Sequence, residues 1–128
     1  MNYKPFSPAR FETLVKEFQE QEAKILSHKG NEYSDQEDRL QNFHLQAIVQ
    51  NVEPAVIALT YLLKHILSIA KAVGDGNQPW EWTTKEGHEG LKQRFADARN
   101  YLLLLAACLE ETYEKEGKHL GERSKQTV

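Results

Sequence analysis

Apolar residues in this chain cluster into long stretches at helical spacing, and Gly and Pro separate the stretches. Four blocks are free of both breakers: residues 9–29, 31–53, 55–73 and 91–116. Each is too long for an ordinary strand and suits a helix. Leu is also commoner than Val and Ile together, which favours helix over sheet. Ser7 before Pro8 predicts an N-cap with proline at the first helical position. Phe11, Leu14, Val15 and Phe18 then form one apolar face, continued less regularly by Ile25 and Leu26. Ser34 with Glu37 has capping-box spacing, and behind it Leu40, Phe43, Ala47 and Ile48 share a helix face. Residues 55–63 are apolar on nearly all sides, which predicts a third helix that is central and surrounded. Gly74-Asp75-Gly76-Asn77 should end it. Thr83 with Glu86 is a second capping box, and the last helix is expected to be secure from 91 to 113. Between these helices, residues 78–90 carry Trp80 and Trp82, expected to cap one end of the core. Short connections make neighbouring helices antiparallel. The expectation is an all-α four-helix bundle over residues 1–116, followed by a polar, disordered C-terminal tail, 117–128.

Composition narrows the function classes. At 128 residues the chain holds one domain, and a net charge of −3 argues against a basic coat for nucleic acid. No run of about 20 apolar residues occurs, so no membrane contact is expected, and the N-terminus shows no secretory signal. The single cysteine, Cys108, excludes an internal disulfide and a multi-cysteine zinc cluster. It fits a reducing, cytoplasmic setting and reads as core filler. Leu102-Leu103-Leu104-Leu105 covers more directions than one intramolecular face needs, which predicts a homo-oligomer.

The informative positions are polar residues on stripes that should be apolar. Lys64 and His65 follow the apolar run of the third block, while Asp97 and Asn100 interrupt the stripe of the fourth. Counting back from the hairpin bend puts Lys64 and Asp97 at similar heights, and Asp97 and Asn100 share a face. Three readings fit: a buried ion pair that fixes register, a polar pocket for an anionic or metal-bound ligand, or a solvated Lys64. A second constellation lies in residues 28–43, where Lys29, Gly30, Glu32, Tyr33, Glu37, Asp38 and Asn42 precede or open a helix. Backbone amides at a helix N-terminus beside Lys29 would suit a phosphate; an ordinary charged loop fits the spacing as well. Glu17, Glu20 and Glu22 read as a solvated side of the first helix. No Walker A, Gly-x-Ser-x-Gly or His-Glu-x-x-His pattern occurs.

Lys29-Gly30-x-x-Tyr33, Asn42-Phe43, Lys64-His65 and Asp97-x-x-Asn100-Tyr101 together resemble a group of small phage and prophage proteins, some linked to nucleotide modification. Their layout is similar to that of the all-α nucleoside triphosphate pyrophosphohydrolases, the MazG and dimeric dUTPase superfamily, over roughly residues 25–110. The resemblance implies an oligomeric helical bundle that binds a nucleotide between helices. Catalytic members hold Mg²⁺ with Glu-Glu-x-x-Glu on one helix and Glu-x-x-Asp on a later one, because a triphosphate-clamping cation needs several convergent carboxylates. Asp97 matches the final Asp, with Arg94 where Glu would stand. The one Glu-Glu-x-x-Glu string, Glu110-Glu111-Thr112-Tyr113-Glu114, follows Asp97 and reads as a solvated helix end.

Two function classes follow. One is a phage-type nucleotide-handling protein, binding a nucleotide or nucleotide signal or cleaving an NTP to NMP and pyrophosphate. In it Lys29 and Lys64 carry phosphate charge, Tyr33 faces the base, and Asn42 or Asn100 bonds its edge or the sugar, with His65 close by. Were it an enzyme, Asp97 with Glu32, Glu37 or Asp38 would hold Mg²⁺. The other is an interaction module with no small ligand, its polar residues serving register alone.

Overall fold

A computed structural model of the chain describes residues 4–33 and 38–117, with the side chains of the first helix described as far as Ile25. Four helices make up the described residues: α1 (Pro8–Tyr33), α2 (Gln41–Gln50), α3 (Pro54–Asp75) and α4 (Leu91–Lys115). They form an all-α four-helix bundle. The expected tail lies outside the described residues beyond Gly117, and so does the Ser34/Glu37 capping box.

Local chemistry sets the helix ends. Ser7 caps α1: its Oγ accepts the Arg10 amide at 3.1 Å, and Pro8 fills the first position. α1 then runs through Gly30 to Tyr33, three residues past the expected breaker. α2 is correspondingly shorter than its block. It ends where Asn51 turns left-handed at φ 55°, the Asn51 amide bonding the Ile48 carbonyl and the Val52 amide bonding that of Ala47. That pair of bonds is a Schellman motif, with Asn in the place glycine usually holds. Pro54 opens α3 directly afterwards.

Thr83 and Glu86 do not cap α4, whose N-cap is Gly90. They lie in a small loop closed by a Thr83–Glu89 bridge, in which Thr84 accepts the Gly87 and His88 amides. The first amides of α4 are satisfied by carbonyls of this loop instead: Leu91 bonds Pro79 at 3.1 Å and Lys92 bonds Glu81 at 3.2 Å. A Cβ at position 90 would collide with the Glu81 carbonyl, so glycine is required there by sterics.

α4 is the centre of the bundle. α3 packs against it antiparallel, Tyr61 meeting Tyr101 and Ser68 meeting Arg94. α1 packs parallel to α4, with Glu17 at Lys92 and Glu22 at Arg99. α2 packs on α3. One core cluster joins Leu40, Phe43 and Ala47 to Ile57, Ala58 and Cys108. At the other end, Phe18 lies under both tryptophans of the loop, 5.0 Å from Trp82 and 6.4 Å from Trp80, as expected for a core cap.

The third helix is not the surrounded one. α3 buries Ile57, Ala58, Leu62 and Ala72 but leaves Val56, Leu59, Leu63, Ile66, Leu67 and Val73 open to solvent. Its sequence is apolar all round, and none of the described residues covers its outer side. By length and composition α3 is long and apolar enough to cross a membrane, with 22% of that stretch buried.

Candidate functional site

Three polar side chains follow one another along the inner face of α4. Gln93, Asp97 and Asn100 lie at spacings of four and three, which keeps them on one side of a helix. Asp97 is 2% exposed and Asn100 4% exposed. Gln93 Nε2 donates to Asp97 Oδ1 at 3.0 Å. Asn100 stands apart: neither Nδ2 nor Oδ1 of its carboxamide has a hydrogen-bond partner. A buried amide left in that state costs about 1–3 kcal/mol, so this side chain is either a cost to the fold or a group held ready for something else.

Aromatic rings border this layer. Tyr101, the next residue on α4, stacks on Tyr61 at 5.6 Å and on His65 at 5.0 Å, with interplanar angles of 21° and 24°. Phe43 meets both tyrosines edge-on, and Tyr61 donates its hydroxyl to Gln46 Oε1 at 2.9 Å. Three rings from two helices thus form a flat stack beside the polar face of α4.

Of the residues singled out from sequence, His65, Asp97 and Asn100 belong to this layer. Lys64 does not. Tyr61 and His65, four residues apart, fix the phase of α3 toward α4, so Lys64 is rotated about 100° away and is exposed. The expected Lys64–Asp97 pair is therefore absent, and Lys64 makes no ion pair among the described residues. Arg94 also turns aside, donating to Ser68 Oγ at 3.1 Å on α3. Asn42 is half-buried in the first turn of α2. Asp38 is engaged on both oxygens, Oδ1 accepting the Leu40 amide and Oδ2 meeting His44 Nδ1, each at 2.9 Å. Gly30 is described only as backbone of α1, like Lys29, Glu32 and Tyr33; those side chains and the whole of Glu37 lie outside the described residues.

Several carboxylates expected to be simply solvated have side-chain partners instead. Glu22 is buried on α1, 3.3 Å from the Arg99 guanidinium. Glu17 accepts from Lys92 Nζ at 2.7 Å and from Trp82 Nε1 at 2.8 Å. Those two hydrogen bonds hold its carboxyl below the usual range, against the opposing effect of burial. Glu111, expected on a solvated helix end, accepts from His44 Nε2 at 2.7 Å. Burial by itself would lower the His44 pKa, but the bonds to Glu111 and Asp38 outweigh it and hold the imidazole above its ordinary value. The signal for Glu22 was present in the chain, since it stands four residues after Phe18 and three before Ile25 on the α1 stripe. His44 carried none, because its partners lie six residues before it and 67 after it.

Cys108 is fully buried, and burial together with the nearby Glu111 charge pushes its thiol up to about 11. It stays protonated and is packing, not a nucleophile. Among the described residues no three His, Cys, Asp or Glu side chains converge as metal ligands. No family model, no curated protein and no solved structure matches this chain.

Proposed function

We propose that this chain binds a nucleotide or nucleotide-derived small molecule between α4 and its neighbours, with Asn100 as the group that recognises it. The observation that carries this reading is the unpartnered, buried Asn100 carboxamide beside a stack of three rings. A carboxamide presents two donors and an acceptor in one plane, which is the complement of a nucleobase edge. The stacked rings of Tyr61, His65 and Tyr101 would give the site an aromatic wall. Asp97, tethered by Gln93, would take a sugar hydroxyl or a base amino group. Lys64, exposed one residue from His65, and Lys29 would carry phosphate charge as point charges. Tyr33 and Asn42 would complete the base and sugar contacts.

Binding is favoured over turnover. Mg²⁺ on a triphosphate needs several convergent carboxylates, and of the four ligands expected here Asp38 is committed to His44 and the Leu40 amide. The carboxylates of the described residues do not fit such a cation by themselves, and no hydrolytic step is derived.

The test is a thermal-shift and calorimetric screen of nucleotides on wild type and Asn100→Leu. A ligand at about 100 times its Kd stabilises the folded state by about 2.7 kcal/mol, a rise of several degrees in Tm. Asn100→Leu removes an unsatisfied amide in favour of an apolar side chain of similar size, so it should fold at least as stably as wild type and fail to respond. Absence of any nucleotide response in wild type, with and without Mg²⁺, would leave the interaction module as the better account.

A further inference from the structure

The outer face of α3 carries a second regularity. Val56, Leu59, Leu63, Ile66, Ala70 and Val73 are all exposed, and they recur at spacings of three, four, three, four and three. That is the a/d spacing of a coiled-coil seam, sustained for about two and a half heptads and left open to solvent. Coiled-coil seams are covered by helices with the same repeat, because each side chain must enter a hole made by four residues of the facing helix. The buried side of α3 is already occupied by α2 and α4, so the seam points outward from the bundle.

The order of side chains along the seam is self-complementary. Turned antiparallel about an axis at the level of Lys64 and His65, the seam sets Val56 against Val73, Leu59 against Ala70 and Leu63 against Ile66. Each layer then joins branched to branched or large to small, which is how facing positions interdigitate without voids. The face is also broad: Val56, Leu59, Leu63, Ile66, Leu67 and Val73 are each 42–68% exposed, a contiguous apolar surface of the kind that marks a protein interface.

We propose that α3 docks on α3 of a second copy of this chain, antiparallel about a two-fold axis, to give a homodimer with a continuous four-helix core of two α3 and two α4. The pairing is isologous, so it closes at two copies and does not propagate. It places the polar layer of α4 on helices that the interface rigidifies, and it does not depend on the nucleotide reading. A bilayer is the competing cover for such a face, but Lys64 and Lys71 border the seam and the opposite side of α3 is packed on protein. A helix surrounded by lipid would need neither the three–four spacing nor a complementary order of large and small side chains.

Light scattering on the full chain across roughly 1–100 µM, at and above the weak end of affinities for standard interfaces, should give twice the monomer mass. Leu63→Glu, at an exposed position, should halve that mass while leaving the helical circular dichroism of wild type. Register is read by disulfide trapping on mixed single-cysteine variants in a Cys108→Ala background. Val56→Cys should link to Val73→Cys and neither should link to itself. Self-links at 56 mean a parallel pairing and overturn the proposal. So does a wild type that is monomeric throughout, or one that sediments as a monomer with phosphatidylcholine–phosphatidylglycerol vesicles through a contact that Leu63→Glu abolishes.

Discussion

His44 draws together three segments that sequence order keeps apart: Asp38 ahead of α2, the helix itself, and Glu111 near the end of α4. Both ring nitrogens face carboxylate oxygens, so the protonated ring satisfies both contacts and the neutral ring only one. Its folded-state pKa is raised by those partners. The unfolded value is about 6.5, so the stabilising contribution is complete below that pH and is lost as pH rises through the raised folded value. All three side chains keep partial solvent contact, which limits the contribution to about 1 kcal/mol. Denaturant midpoints of wild type and His44→Gln, compared from pH 6 to 9, should converge toward alkaline pH. A difference that stays constant across that range would contradict the assignment. Asn100 poses the opposite case at the same scale, a buried polar group with no partner, and its substitution by Leu separates a stability cost from a recognition role.

Among the elements, the loop between α3 and α4 does more than connect. Its carbonyls at Pro79 and Glu81 take the first amides of α4, its tryptophans cover Phe18, and Lys92 of α4 reaches back to Glu17 of α1. The loop thereby helps tie α1 to α4. All of it depends on the close pass of Gly90 beneath the Glu81 carbonyl, where the Gly90 amide also donates to Trp82 at 2.9 Å. Gly90→Ala should cost about 1–3 kcal/mol through overpacking. Chemical denaturation measures it, and a blue-shifted tryptophan emission moving toward that of exposed indole would place the damage in the loop. Lys71→Ala, on the exposed side of α3, should be near neutral in the same experiment.

At the level of the whole molecule, apolar surface is divided between a small interior and a large exterior. The interior cluster where α2, α3 and α4 meet contains Cys108 at its centre, fully buried and with its thiol pushed up to about 11. Thiolate, not thiol, reacts with disulfide reagents, and no thiolate forms there without opening the bundle. Labelling of Cys108 by an aromatic disulfide at pH 8 should therefore proceed at the opening rate of the fold and accelerate in step with urea unfolding. Rapid labelling in native buffer would show that the interior cluster is not closed. If the two-fold pairing of α3 forms, the same labelling should slow as protein concentration rises, because association stabilises the folded chain by mass action.

Helix existence, the cap at Ser7 and the breaks near Pro54 and Gly76 were legible from local pattern, because spacing, proline geometry and capping hydroxyls act within a few residues. The helical fold followed from these. The polar positions on α4 were legible for the same reason, since a stripe that should be apolar marks Asp97 and Asn100 without reference to any partner. Helix phase was not. Lys64 and His65 are neighbours in the chain, and only the packing of Tyr61 and His65 on Tyr101 decides that one faces inward and the other out. The carboxylates divide the same way: Glu22 stands on the apolar stripe of α1, whereas Glu17 and Glu111 read as solvated until helices distant in sequence bring Lys92 and His44 to them. The apolar run of α3 is the clearest instance. Its composition led to the expectation of a helix covered on every side, but how many helices fit around it is decided by tertiary packing, and among the described residues α2 and α4 cover one side of α3 and leave the other exposed.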